Sequence, residues 1–173
     1  MCSEQNARME IGSNSSTLSF ENASILHADV LTALTFRSKD HWKYGADQLM
    51  QWKEALTISP TYIETNEVIV LKHNHVIIGY YSYIDAEAFA VELDNLFIDP
   101  DYIGQGYGTV LMHHFLNRMK EKNTVKIMLY ADPHAEQFYA KHGFKVIGEF
   151  ESSQAGRYLP MMGLTINSIA GDA

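Results

Sequence analysis

Cysteine is nearly absent from this chain: Cys2 is the only one among 173 residues. One thiol cannot form an intrachain disulfide, so a small secreted scaffold held by bridges is excluded and a reducing cytoplasm is the expected compartment. Long apolar runs are missing as well. No stretch approaches the roughly 20 residues that a membrane-spanning helix needs, and the first residues lack the basic start and apolar stretch of an export signal. A soluble protein with no membrane partner is therefore expected. Positive charge is scarce, with 13 Lys and Arg against 21 Asp and Glu and a formal net charge of -8. Without a field to draw in a polyphosphate backbone, nucleic acid is not an expected partner.

What is present suits one globular domain: 46% apolar residues and 12% aromatics over a length that supports a single full core. Residues 1–16 are rich in Ser, Asn, Gln and Glu and read as a flexible tail; residues 17–173 read as the single domain. Thr17 to Phe20 suits a short strand, and Leu26, Val30, Leu31 and Leu34 then recur at helical spacing. Asp47 to Thr57 predicts a second helix stopping before Pro60. Glu67 to Lys72 and Val76 to Ile84, separated by His73-Asn74-His75, predict a hairpin, and Ala88 to Ile98 a third strand ending at Asp99-Pro100. A glycine turn follows, then a helix with Val110, Leu111, Phe115, Leu116 and Met119 on its apolar side. Val125 to Tyr130 predicts a strand and Pro133 to Lys141 a helix closed by Gly143. Phe144 to Phe150 and Tyr158 to Ile166 predict closing strands. The economical architecture is α/β, a mixed sheet with helices on both faces.

The turn Gly104-Gln105-Gly106-Tyr107-Gly108 lies between a predicted strand and a predicted helix. Glycines clear one edge of such a turn so that backbone amides can approach an anion, and the helix start adds unpaired N–H groups and a positive dipole end. A pyrophosphate fits that description, and so does a plain structural turn. A dinucleotide fingerprint would need glycine at position 109, where Thr109 stands, and a phosphate loop would need Gly-Lys-Ser/Thr, which is absent.

Three segments together, Leu96-Phe97-Ile98-Asp99-Pro100, the turn through Gly108, and Asp132-Pro133-His134-Ala135-Glu136-Gln137-Phe138-Tyr139 ending in Gly143-Phe144, resemble the GCN5-related N-acetyltransferase (GNAT) family. The family's pyrophosphate motif, Gln/Arg-x-x-Gly-x-Gly/Ala, falls on Ile103 to Gly108 with Ile103 in place of the polar first residue. Asp132 stands where the later motif usually has asparagine. His41-Trp42-Tyr44 and Gly156-Arg157-Tyr158-Leu159-Pro160 look like a bacterial subgroup of the family. The resemblance implies a mostly antiparallel central sheet of about seven strands and acetyl-coenzyme A as co-substrate. It implies backbone contacts to the coenzyme from Phe97 and Ile98, a pyrophosphate cradle of Ile103, Gly104, Gln105, Gly106, Tyr107, Gly108 and Thr109, and further coenzyme contacts from Asp132 and Phe138. It also implies that Tyr139 protonates the departing thiolate, a role suited to a phenol, and that His41 and Trp42 shape the acceptor pocket. A homodimer through the terminal strands is a further expectation of this kind.

Acyl transfer to an amine also needs a base. Glu92 and Asp94 lie two apart on the strand before the turn and share a side, and Glu92 has the longer reach; a water relay is the alternative. The eight histidines suggest no metal site, because His73 and His75 flank a hairpin tip, His113 and His114 diverge on a helix, and no Cys or carboxylate stands at ligand spacing. The expected activity is direct acetyl transfer in a ternary complex to a small-molecule amine. The net acidity suggests a cationic acceptor. A coenzyme-binding sensor without catalysis and a protein N-acetyltransferase are the other readings.

Overall fold

The computed structural model describes residues 16–87, 89–152 and 154–166, so the expected N-terminal tail lies almost wholly outside the described residues, Cys2 with it. Leu18–Asn22 forms strand β1, and the β-branched and aromatic runs form β2 (Glu67–His73), β3 (Val76–Glu87) and β4 (Ala90–Ile98). These four pair antiparallel in chain order. The β2–β3 connection is Asn74-His75, both left-handed at φ 49° and 70°, the pair of conformations that a two-residue hairpin needs to match strand twist. Strand β5 (Lys126–Tyr130) then joins β4 in parallel, and β6 (Lys145–Glu151) and β7 (Tyr158–Thr165) close a seven-stranded sheet of order β1-β2-β3-β4-β5-β7-β6. The expected mixed, mostly antiparallel sheet is what forms.

Helices α1 (Ala28–Asp40), α2 (Ala46–Gln51) and α3 (Pro60–Thr65) precede the hairpin, α4 (Tyr107–Glu121) links β4 to β5, and α5 (Glu136–Lys141) follows β5. Strand alternation divides the core. Val68, Val70 and Tyr80 point to one face and pack with Leu31, Leu34 and Ile63 from α1 and α3. Ile69, Leu71, Tyr81 and Tyr83 point to the other and pack with Leu111, Met112, Phe115 and Met119 of α4. Gly79 has no room for a side chain: a Cβ there would stand 2.6 Å from Ile98 Cδ1 and 2.8 Å from the Phe97 carbonyl oxygen, so β3 and β4 lie together closely just where β4 enters the turn.

Three sequence expectations change. The buried stripe of α1 runs through Leu31, Leu34, Thr35 and Ser38, while Leu26 and Val30 face solvent at 86% and 49% exposure. Two hydroxyls hid this stripe from a reading based on hydropathy. Thr35 is satisfied in the core, donating to the Leu31 carbonyl at 2.8 Å and meeting the Tyr80 hydroxyl at 2.5 Å. Second, α2 ends at Gln51, and the chain continues in tighter turns in which the N–H groups of Lys53 and Thr57 donate to the carbonyls three residues back, each at 3.2 Å. Third, Pro60 does not merely stop a helix but begins one. Ser59 caps α3 by accepting from the Tyr62 N–H at 3.0 Å, and proline costs nothing at the first helical position, where its missing N–H would have no partner anyway.

Candidate active site

The β4–β5 ladder is only three pairs long: Ala90 with Lys126, Val91 with Ile127 and Glu92 with Met128. Beyond it the strands part. The cause lies in β4, where Ser82 of β3 faces Asn95 and Tyr83 faces Leu93, leaving Asp94 as an extra residue that bulges the strand and bends it. The gap opens into a cavity of about 470 Å³ lined by Asp94, Leu96, Phe97 and Ile98 from β4, and by Tyr130 and Asp132 at and just past the end of β5. By strand geometry, every second backbone unit of β4 past Glu92 turns its N–H and C=O toward this gap instead of toward a neighbouring strand.

One end of the cavity is the glycine turn. Asp99 caps the 3-10 turn Pro100–Tyr102 by accepting from the Asp101 N–H at 3.2 Å, and Arg37 of α1 pairs with the same carboxylate. Gly104 and Gly106 then adopt φ of 79° and 88°, and a Cβ at either would meet nothing within 4 Å, so these positions demand glycine for conformation and leave open space in front of the backbone. Helix α4 starts at Tyr107 with its first N–H groups free of helical acceptors. Ile103, Gly104, Gly106, Gly108 and Thr109 line the cavity together with Phe138. Gln105 and Tyr107 do not. Gln105 folds back to donate to the Asp101 carbonyl at 2.8 Å, and Tyr107 packs on Tyr102 and His73; any contact from these two is through the main chain.

Tyr139 lines the middle of the cavity from α5. Its ring packs on Phe138 and Phe144. Burial, and secondarily the charge of Asp132, holds its phenol well above the usual tyrosine range, so it stays protonated at neutral pH. The two β4 carboxylates are near each other, but Asp94 lines the cavity and Glu92 does not. Burial, with the charge of Asp94 added, raises Glu92 above the ordinary carboxylate range. Asp94 is held by one oxygen: Oδ2 accepts from the Tyr62 hydroxyl and, at 3.0 Å, from Asn95 Nδ2, while Asn95 also donates to Ser82 at 2.8 Å.

At the other end the sequence reading is incomplete. Trp42 lines the cavity, but His41, set edge-on to it at 5.0 Å, does not. Trp42 lies parallel to His134, their rings 4.9 Å apart and tilted by 7°. Asp132, expected as a coenzyme contact, is the hub of a charged cluster. Its Oδ2 accepts from Lys39 Nζ at 2.7 Å, both oxygens accept from the Tyr44 hydroxyl at 2.7 and 2.8 Å, and Oδ1 accepts from the His134 N–H at 3.0 Å. Arg157 Nη2 stands 3.7 Å from Oδ2, with the guanidinium stacked 4.4 Å above Trp52. Burial alone would raise the Asp132 carboxyl; Lys39, Tyr44 and the His134 amide outweigh it and hold the group below its ordinary value. Tyr44, buried and facing that carboxylate, is pushed up to about 12. Lys39, His134 and Arg157 carried no site assignment from sequence, and Asp94, weighed there as a base second to Glu92, is the one of the two that lines the cavity. The signal available was the paired segments His41-Trp42-Tyr44 and Gly156-Arg157, which meet around Asp132.

His114 stacks on Phe20 and bonds the Tyr81 hydroxyl at 2.9 Å, while His113 sets its ring against His142. Among the described residues no three His, Cys, Asp or Glu side chains converge as a metal site, and no helix is long and apolar enough to cross a membrane.

Comparison with known proteins shows the fold and the family. The chain is 40% identical over 72 residues to the peptidyl-lysine N-acetyltransferase YjaB of Escherichia coli, covering 42% of this chain and 48% of that protein. It is 32% identical over 84 residues to an uncharacterized N-acetyltransferase of Mycobacterium tuberculosis, covering 47% and 54%. The chain thus spans about half the length of these curated relatives. The fold superposes on the PaiA N-acetyltransferase of Thermoplasma acidophilum, solved in complex with coenzyme A, with a TM-score of 0.72 at 19% identity, over 87% of this chain and 99% of that one. Residues 42–164, which hold all of the cavity except its α1 wall, match the family model described as an acetyltransferase (GNAT) domain, and the chain belongs to that family.

Proposed function

We propose that this chain transfers the acetyl group of acetyl-coenzyme A directly to the amine of a small molecule, both substrates meeting in the gap between β4 and β5. The observation that carries this reading is the short ladder: the strands part at Glu92 and Met128, and the opening runs from the glycine turn past Tyr139 to Trp42. A resident anion at the turn fits the residues present, since Gly104 and Gly106 leave open space before their amides. Ile103 offers no side-chain hydrogen bond there, so the backbone carries that contact. The donor supplies an activated thioester. The chain's own groups orient it through the β4 backbone, keep a protonated phenol at Tyr139 to meet the departing sulfur, and place the Asp94 carboxylate where the amine arrives, with Glu92 outside the cavity lining. As the C–N bond forms and the C–S bond breaks, the Tyr139 proton passes to the thiolate and one amine proton passes to the β4 carboxylates, directly or through water. Asp94 is the nearer of the two; Glu92, with its raised affinity for protons, stands behind it. Action in the cytoplasm, and as a homodimer, belongs to the same proposal.

Release of free thiol from acetyl-coenzyme A over a panel of amines tests the reading, with calorimetry to measure coenzyme binding. Tight binding with no turnover on any amine or lysine peptide would make the chain a coenzyme-sensing module instead. Protein acetylation is the second reading, favoured by the name of the relative YjaB; turnover of lysine peptides far above that of small amines would establish it.

A further inference from the structure

Charges of both signs face the proposed acceptor end of the cavity, and they come from different elements. Asp94 stands on the β4 bulge, while Lys39 reaches in from the last turn of α1 and Asp132 from the loop after β5. Asp132 is already satisfied: its two oxygens accept from Lys39, Tyr44 and the His134 amide. The cations around it are not. Lys39 and Arg157 bring two positive charges to one carboxylate, in side chains that are only 16%, 21% and 14% exposed for Lys39, Arg157 and Asp132. Among the described residues Lys39 Nζ makes one hydrogen bond, to Asp132, and is otherwise surrounded by the Tyr44, Trp52 and Phe97 rings at 5.7 to 5.9 Å. Arg157 Nη2 is fully buried with no hydrogen-bond acceptor among the described residues. A poorly hydrated cluster with a surplus cation and an unmet donor is short of one anion.

We propose that the acceptor is a zwitterion of the amino-acid class, its ammonium drawn to Asp94, where it gives up one proton to solvent before the free amine attacks, and its carboxylate drawn to Lys39, with Arg157 as the reserve cation that makes this affordable. Resting on the acetyltransferase reading of the same cavity, the proposal narrows the acceptor, and it reverses the expectation of a purely cationic one: the overall charge of -8 is not the charge at this wall. Arg157 does not line the cavity itself. Its part is exchange. When a carboxylate engages Lys39, Asp132 closes the 3.7 Å gap to Arg157 Nη2, so that every charge remains paired. The Trp42 and His134 rings beside this point offer a flat apolar wall to the acceptor's side chain. A lysine side chain within a protein brings no carboxylate near its reacting nitrogen and leaves the surplus unanswered.

Calorimetric binding to the full chain with coenzyme A present tests this without depending on turnover. The ligands are N-acetyl amino acids and the matching N-acetyl amino-acid amides, which differ by one charge; an acetyl-lysine peptide amide serves as the third ligand. At least one acid is expected to bind about tenfold or more tightly than its amide. In Lys39→Gln and in Arg157→Gln that ratio falls to within about twofold of unity, while Lys39→Arg keeps it. The ratio is taken within each variant, so a general loss of folded protein cancels. Amides that bind as well as acids, a ratio unmoved by Lys39→Gln, or binding of the peptide alone would each overturn the proposal. Failure of thiol release would count against the catalytic reading only, because the binding comparison stands apart from it.

Discussion

The wall around Gly104 to Thr109 is one continuous piece of chain, whereas the wall around Asp132 is assembled from three pieces that lie far apart in sequence. Lys39 and Tyr44 reach Asp132 across 93 and 88 residues, and Arg157 joins from the β6–β7 turn. Local backbone conformation builds the first wall: two left-handed glycines, a capped turn and a helix start. The second exists only when the fold is complete, because each of its charges depends on a partner from another element. On the proposed function, donor recognition is a property of a segment and acceptor recognition a property of the assembled domain.

The largest test of that contrast acts between the two walls. Tyr139→Phe removes the only proposed proton donor and should lower kcat by about 10²-fold or more with the donor KM within about twofold, measured by thiol release. Next, Gly106→Val forces a β-branched residue to a φ of 88° and should raise the coenzyme dissociation constant by about tenfold or more, read by calorimetry, while the acid-to-amide preference of the other wall persists. Loss of both together would mean that the two walls are not separable.

Asp132→Ala should instead leave the glycine turn working and destabilise the domain by about 2 kcal/mol in urea denaturation, since it strands two partly buried cations. The pH dependence has a definite sign. Asp132 has a lowered pKa in the folded chain, so its contribution is complete above the unfolded carboxylate value of about 4 and disappears as pH falls through the folded one. The stability gap between the native chain and Asp132→Asn should accordingly be constant near neutrality and close in acid. The smallest effect belongs to Glu92, whose raised pKa means that its charge costs stability at neutral pH. Glu92→Gln should stabilise the chain by less than about 1 kcal/mol and shift the acid limb of the kcat/KM profile; an unchanged profile would remove Glu92 as a base and leave Asp94.

Sequence legibility follows the same division. The order of strands and helices from Glu67 onward, the glycine turn and Tyr139 could be read because period-2 and period-3.6 patterns, turn glycines and a motif on one segment are local signals. The α1 stripe could not, since Thr35 and Ser38 look polar until Tyr80 and the Leu31 carbonyl are seen to satisfy Thr35. Pro60 has one letter for two meanings, stop and start, and only the Ser59 cap distinguishes them. Trp42, expected from sequence at the acceptor pocket, lines the cavity, but Lys39 and Arg157 were two ordinary surface-type cations until the fold brought them to one carboxylate.

Three residue pairs join β4 to β5, and they are the seam between two otherwise complete sheets, β1 to β4 on one side and β5 to β7 on the other. A seam that short leaves backbone groups on both lips without rungs, so an elongated amide-bearing ligand lying in the opening acts as the missing strand. Amide hydrogens of Leu96, Ile98 and Tyr130 should then exchange readily in the ligand-free chain and slowly once the opening is filled, whereas that of Phe97, turned toward Tyr80 of β3, should be protected in both states, which would make the occupant a part of the sheet's own architecture.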